Sequence, residues 1–312
     1  VSGTPEPERH PATADLLNEV FGFDPPIGPD HLTWYYDRNP AGVASVGRVE
    51  DDTGARRLGN YALVPLRFRR GTEELVLGLG VDLAVRPEAR GAGTFRRTVE
   101  DAYARGTADG LDGILGVANA QSAPRMVQTL GWASLPPLPV RLLPPRPSRA
   151  LPRTHPVDAA LLASSLLDDL LPAHPVLPAD GWAPPWTPEL LRWRLAKPRA
   201  RYVLHAGDDL VAVSTRTVIK GVPFAVLLKV LPRRPLAAPV PASVVAGALA
   251  RHHRTPFVVH WGANAHLRLR GVPLPRERMP SPLELVTYAF TPRFDAAALR
   301  FATFEFLDFD AY

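Results

Sequence analysis

The apolar and polar positions of this chain change period several times, and each change marks an element. Leu79, Val81, Leu83 and Val85 alternate with Gly80, Asp82 and Ala84, a period-two pattern that predicts a strand over 75–85. Just beyond it, Phe95, Val99, Ala102 and Tyr103 fall at helical spacing and predict an amphipathic helix over 94–109. Upstream, short helices are expected at 14–21 and 31–37. Strands at 43–49 and 59–68 bracket the turn Asp51-Asp52-Thr53-Gly54, which reads as a hairpin. Downstream, a strand at 113–117 precedes a helix at 122–130 that stops at Gly131. Pro124 falls in that helix's first turn, where a missing N–H costs little.

The same order recurs in the second half at a fixed offset. Val85-Arg86-Pro87 matches Val230-Leu231-Pro232, and Ala118-Asn119-Ala120 matches Ala263-Asn264-Ala265, both 145 residues apart. Trp34 has a counterpart in Trp193, and a hairpin turn returns as Gly207-Asp208-Asp209. A tandem duplication follows as the expectation. Between the copies lies the densest proline run, Leu135 to Pro147, which reads as a stiff extended linker and divides the chain into 1–147 and 148–312.

Composition narrows the chemistry. The 312 residues contain no cysteine, which excludes disulfides, thiolate-bound metals and a cysteine nucleophile. The net charge is +5, but all basic residues except Lys197, Lys220 and Lys229 are arginine, and they are interspersed with acids, as in Arg96-Arg97-Thr98-Val99-Glu100-Asp101. This is the bias of a GC-rich genome more than a polyanion-binding stripe, so no nucleic-acid partner is expected. No apolar stretch approaches the roughly 18 residues of a membrane span, and the first fifteen residues lack a signal core. A cytoplasmic protein without membrane contact is the expectation.

The most informative segment runs from Val85 to Arg96. A strand ends, Gly91 and Gly93 allow a tight turn, and a helix begins at Thr94. The first N–H groups of that helix lack intrahelical partners and carry the positive end of its dipole, so they can bind a pyrophosphate, with Arg90 and Arg96 as cationic donors. The plainer alternative is that the glycines only shape a βα turn. Gly78-Leu79-Gly80 begins a dinucleotide fingerprint, but Leu83 stands at its third glycine, and no Walker ending exists.

Strand, Arg90-Gly91-Ala92-Gly93-Thr94-Phe95, helix, strand, Asn119-Ala120-Gln121-Ser122 and a second helix ending Leu130-Gly131-Trp132 resembles the cofactor core of the GNAT acetyltransferase superfamily. Arg90, Gly93 and Phe95 occupy the defined positions of its Arg/Gln-x-x-Gly-x-Gly/Ala turn, and Phe95 departs from the small residue usual there. The version with Phe resembles a bacterial subgroup with two GNAT-like units, often linked to secondary metabolism. The resemblance covers about residues 30–142 and is faint beyond. It implies an α/β (α+β) fold of two tandem GNAT-like units, each with a mixed, mostly antiparallel central sheet flanked by helices. It also implies an N-acyltransferase moving acetyl from acetyl-CoA to an amine on a small metabolite, by direct attack in a ternary complex. The pyrophosphate would sit on Arg90, Gly91, Ala92, Gly93, Thr94, Phe95 and Arg96, and the pantetheine along Leu83, Ala84 and Val85. Asn119 would lie near the pantetheine or thiol, and Ser122 and Arg125 near the distal cofactor. The second copy has Pro232-Arg233-Arg234-Pro235-Leu236 at the turn, without glycine and with prolines removing amides. One cofactor site is therefore expected, in the first half, with the second unit shaping the acceptor pocket.

Acyl transfer to an amine needs a base, an oxyanion donor and an acid for the thiolate. Asp82, His260 and Asp308 are the catalytic candidates. Asp82 lies between Gly80 and Ala84 and serves as base or substrate anchor; the alternative is an acid paired with an arginine. Glu305, Asp308 and Asp310 sit in a C-terminal strand expected to have a solvated edge, with an end in the inter-unit cleft as the alternative. His260 beside Trp261 reads as a pocket lining or base, with core packing as the alternative. His252, His253, His260 and His266 fit no common metal spacing. Tyr61 and Tyr103 are candidates for the thiol acid, and Tyr103, on the apolar face of its helix, is expected to pack. Two other readings stay open: an aminoacyl-tRNA-dependent transferase of the peptidoglycan-bridge type, and a non-catalytic acyl-CoA-binding regulator.

Overall fold

The computed structural model describes residues 4–312 apart from 121, 220 and 276–282. In chain order its helices are α1 (His10–Phe21), α2 (Pro29–Leu32), α3 (Thr94–Ala108), α4 (Ser122–Leu130), α5 (Ala159–Ala163), α6 (Leu166–Leu170), α7 (Pro188–Leu195) and α8 (Ala242–His253). Its first strands are β1 (Ser45–Glu50), β2 (Arg57–Arg70), β3 (Glu73–Val85), β4 (Gly113–Ala118), β5 (Ala133–Ser134), β6 (Val140–Leu143), β7 (Arg153–Pro156) and β8 (Val203–Ala206). These are followed by β9 (Leu210–Ile219), β10 (Val222–Pro232), β11 (Val240–Pro241), β12 (Val258–Asn264), β13 (Leu267–Arg268), β14 (Val272–Pro273), β15 (Glu284–Ala289) and β16 (Thr303–Glu305).

The chain forms two compact units. The first comprises the chain as far as Arg67, Glu74–Leu135 and Glu284–Leu299. Its sheet runs in the order β1-β2-β3-β4-β15-β5. β1 is antiparallel to β2 and β15 is antiparallel to β4, while β3 and β4 are parallel and need the crossover that α3 supplies. Val99 and Ala102 of α3 join Tyr61, Leu63, Ile114 and Trp132 in one core cluster. The sequence spacing had placed Phe95 and Tyr103 on the same face, and both pack against that cluster while partly exposed.

The second unit comprises Phe68–Glu73, Pro136–Leu283 and Arg300–Tyr312. Its sheet runs β14-β6-β12-β10-β9-β8-β7, with β16 paired to β12. β10 and β12 are its parallel pair, and α8 is the crossover. Val245, Ala246 and Leu249 of α8 pack on Ala225, Leu227 and Val258 in its core. β4 opens at Gly113 and β12 at Val258, and α3 and α8 end at Ala108 and His253, an offset of 145, whereas the helices start at Thr94 and Ala242, an offset of 148, because α3 is three residues longer. Both units are mixed, mostly antiparallel sheets flanked by helices.

The units interleave in sequence, whereas the proline run suggested a single cut at 147. Val140–Leu143, inside that run, is a strand antiparallel to β12, with Leu143 opposite Val258. Pro139 and Pro144 flank it without interrupting its ladder, and Val140 and Leu143 are buried. In return β15, from late in the chain, belongs to the first sheet. Counting prolines finds stiff backbone but not the four residues between them that pair. Among the described residues no helix is long and apolar enough to cross a membrane.

Candidate active site

In the first unit the parallel strands pair over three positions, Leu77 with Gly113, Gly78 with Ile114 and Leu79 with Leu115, and no further. Gly80, Val81, Asp82 and Leu83 are then half-buried although β3 lies inside the sheet. An interior strand with accessible residues marks an opening between β3 and β4. Asp82 adopts φ +55, a left-handed conformation that is costly for a residue with a Cβ. Neighbouring groups hold it there. Tyr36 Oη donates to Asp82 Oδ2 at 2.6 Å, and Asn60 Nδ2 donates to the Asp82 carbonyl at 3.1 Å. Tyr36 stands on a one-turn π-helix, Thr33–Asp37, a rare geometry that aims successive aromatic side chains inward. Burial, with Asp82 adding, pushes the Tyr36 hydroxyl well above its ordinary pKa, so it remains a donor. Behind Asn60, the buried Arg57 Nη1 reaches Asn60 Oδ1 at 3.2 Å and Thr13 Oγ1 at 3.0 Å.

Beyond Val85 the chain makes a short 3-10 turn, Pro87–Ala89, and then four turn residues before α3. Gly91 at φ +85 and Gly93 at φ +74 are both left-handed, and a Cβ built on either would meet nothing within 4 Å. The conformation requires glycine, and the space above it is open. Gly93 is the N-cap of α3, whose first turn contains no acid, so the amides and dipole face this space without internal neutralisation. Arg90 and Arg96 are exposed beside it; Arg90 Nε contacts the Val85 carbonyl at 3.3 Å, and Arg96 Nε stands 4.0 Å from Glu100. Thr94 is buried, and its carbonyl accepts from Thr98 Oγ1.

At the end of β4, Asn119 Oδ1 accepts from the Ser122 N–H at 2.9 Å, and the Asn119 N–H donates to Ser122 Oγ at 3.2 Å. This reciprocal cap opens α4, so both expected cofactor contacts act first as helix-capping groups. Gln121 lies outside the described residues, and Arg125 is exposed on α4. Tyr103 packs as expected: it stacks on Tyr288 at 4.9 Å, and its hydroxyl accepts from Trp132 Nε1 at 2.6 Å.

The second unit fills the corresponding space. β10 and β12 pair over Ala225–Val258, Val226–Val259 and Leu227–His260, after which β12 turns to β16. The last pairs, at Leu79 and Leu227, lie 148 positions apart, and so do the helix starts, Thr94 and Ala242, so both units take the same 15 residues from the last pair to the crossover helix. In β10, Leu228 to Pro232 are buried throughout. The Val230 N–H donates to Glu305 Oε2 at 3.3 Å, and the Val230 carbonyl accepts from Asn264 Nδ2 at 3.0 Å. By that register Val230 stands where Asp82 does in the first unit, so a carboxylate and a carboxamide of the same chain hold the backbone groups of the strand at the position that is half-buried there.

His260 and Asp308 are part of this filling. His260 Nε2 lies 3.0 Å from Glu305 Oε1, and Lys229 Nζ lies 2.8 Å from Asp308 Oδ2 and 3.3 Å from Glu305 Oε2. Trp186 Nε1 donates to Asp308 Oδ1 at 2.8 Å. All these charged groups are fully buried. Burial pushes the Glu305 carboxyl up, but Lys229, His260 and Asn264 together hold it below the ordinary range. Burial, with the Glu305 charge adding, raises Asp308 against the pull of Lys229. The expected solvated edge is thus a buried ionic cluster. The apolar residues flanking these acids drive the segment inward, and Lys229 makes that burial tolerable. Asp82 belongs to the first unit and His260 and Asp308 to the interior of the second, so the three candidate catalytic residues do not form one cluster within either unit.

Sequence reading missed Tyr36 and Asn60, although the aromatic run Trp34-Tyr35-Tyr36 was a signal. It also missed Ser214, whose Oγ lies 2.8 Å from both His205 Nε2 and His253 Nε2. Burial lowers these imidazoles to about 3 for His205 and about 4 for His253.

No family model matches the sequence, and no curated protein matches it. Solved structures do match. A protein of Enterococcus faecalis described as a probable N-acyltransferase superposes with a TM-score of 0.59 at 11% identity, over 92% of this chain and 72% of that one. A GCN5-related N-acetyltransferase from Anabaena variabilis gives 0.59 at 10% identity, over 91% and 71%. Eis1 from Mycobacterium abscessus gives 0.50 at 13% identity, over 92% and 71%. The parallel pair that opens around a glycine turn at a helix start, and these superpositions over nine-tenths of the chain, establish that this protein has the GCN5-related N-acetyltransferase fold.

Proposed function

We propose that this protein is an N-acyltransferase that moves acetyl from acetyl-CoA to an amine on a small metabolite, with one cofactor site, in the first unit. The observation that carries this reading is the opening past Leu79 and Leu115, continued by a glycine turn that exposes the first amides of α3. The residues fit the cofactor. The amides of 91–94 and the Arg90 and Arg96 guanidinium groups would hold the diphosphate, and the β3 backbone over Leu83–Val85 would hold the pantetheine arm. When bound, acetyl-CoA supplies an activated acyl thioester. Asp82, held by Tyr36 and Asn60 in the opening, anchors the acceptor's ammonium group and takes the proton that frees the nitrogen lone pair. The second unit, with its strand backbone held by Glu305 and Asn264, acts through its fold and through acceptor selection.

Thiol release measured over an amine library tests the activity. Turnover with at least one primary amine, lost in Asp82→Ala with unaltered acetyl-CoA affinity, supports the reading. Acetyl-CoA binding without turnover on any amine would favour a regulator that senses acyl-CoA.

A further inference from the structure

Tyr61 of β2 is 1% exposed, in the core cluster beneath α3. A Cβ at Gly80 would meet its Oη at 2.3 Å, so the hydroxyl lies directly over the Gly80 backbone. Gly80 is the first β3 residue past the Leu79–Leu115 pair, which places the hydroxyl at the apex of the opening between β3 and β4. Among the described residues this hydroxyl has no hydrogen-bond partner. The hydroxyls of Tyr36, Tyr103 and Tyr202 each have one. A buried hydroxyl without a partner is destabilising, and phenylalanine would fill the same space without that cost. The absence of a side chain at Gly80 is what admits the phenol. Burial, with Tyr103 adding, pushes the Tyr61 hydroxyl well above its ordinary pKa, so it stays protonated and is available as a donor.

We propose that the Tyr61 hydroxyl donates a hydrogen bond to the carbonyl oxygen of the acyl thioester seated in this opening. The inference rests on the cofactor site proposed above. As the amine nitrogen bonds to the carbonyl carbon, negative charge develops on that oxygen and the Tyr61 O–H stabilises it without giving up its proton. The electron pair returns as the C–S bond breaks, and the thiolate takes the proton released by the amine. Tyr61 ends the cycle as it began. Its low-dielectric surroundings strengthen such a bond, which forms as the acyl group enters the parting of β3 and β4 and reaches a hydroxyl that is sealed from water.

Carbonyl-13C-labelled acetyl-CoA and CoA are the probes, on the wild type and Tyr61→Phe. In the wild type the bound carbonyl resonance is displaced downfield of free acetyl-CoA, and in Tyr61→Phe much of that displacement is lost. The preference for acetyl-CoA over CoA falls about 3–10-fold, the worth of one hydrogen bond. Turnover falls by about 10²-fold, the usual cost of losing an oxyanion donor. The melting temperature stays level or rises, which shows that the variant folds. A carbonyl resonance and an acetyl-CoA/CoA preference identical in the two proteins would overturn this role while leaving the cofactor site intact. A wild-type carbonyl resonance at the free position would do the same without the variant. A wild type that binds neither probe would remove the cofactor site and this role together.

Discussion

The two units share an element order and an offset of 145 residues, and they differ most where their parallel strands part. In the first, β3 continues past its last pair as a half-exposed stretch with Asp82 strained at φ +55, and a glycine turn opens α3. In the second, β10 is buried throughout past its last pair, Val230 is held by Glu305 and Asn264, and the turn before α8 contains prolines. One scaffold thus either keeps its parting open for a ligand or closes it with side chains of its own. The closed unit stabilises a large buried ionic cluster, and the open unit tolerates strain at Asp82 and an unpartnered hydroxyl at Tyr61, as sites shaped for a ligand commonly do.

Breaking the filling should have the largest effect. Lys229→Met leaves two buried carboxylates without their cation and should cost about 3–5 kcal/mol. Thermal denaturation should show a fall of roughly 10 °C for that loss. A melting temperature within experimental scatter of the wild type would mean that the cluster contributes nothing net. Next, Gly93→Asp places a carboxylate among the first amides of α3, and calorimetry should show acetyl-CoA affinity reduced by about 10²-fold, near 2.7 kcal/mol. The left-handed φ there strains a residue with a Cβ, so a melting curve recorded beside the titration checks that the variant is folded. Third, Tyr36→Phe removes a donor from Asp82 and should destabilise the first unit by about 1.5–3 kcal/mol in chemical denaturation, as hydrogen bonds to charged groups do. The acid limb of the pH–rate profile should move with it, because the hydroxyl favours one charge state of Asp82. Unchanged stability and profile would remove Tyr36 from the support of Asp82.

The last test distinguishes the units by pH. His205 and His253, lowered to about 3 and about 4 by burial, stay neutral in the fold down to those values, whereas in the unfolded chain they protonate near 6.5. Below 6.5 the unfolded state therefore binds more protons, and stability falls as pH drops towards 4, with no further loss from this pair below about 3. His205→Gln should flatten that slope in melting curves recorded between pH 7 and 4. An equally steep slope would place the acid sensitivity elsewhere.

Much of the first unit was legible because its signals are local. The alternation from Leu75 to Val85, the helical spacing of Phe95, Val99 and Ala102, and the glycines at 91 and 93 each encode an element or a turn within a dozen residues. The parts that were not legible depend on contacts distant in sequence. Asp82 meets Tyr36 from 46 positions away, and Lys229 meets Asp308 from 79. Three acids among aromatic residues read as a solvated edge, and the paired interior they form depends on Lys229, far away in sequence. The exchange of β6 and β15 between units was likewise hidden, because a strand's sequence reports its burial pattern and not the sheet that it joins.

The account stands on the claim that one unit is open and the other closed by its own side chains, and the stoichiometry of acetyl-CoA binding tests that most directly. Isothermal titration of the wild type should give one acetyl-CoA per chain, and Gly93→Asp should weaken that binding by about 10²-fold. Two equivalents per chain, or undiminished binding in Gly93→Asp, would contradict it.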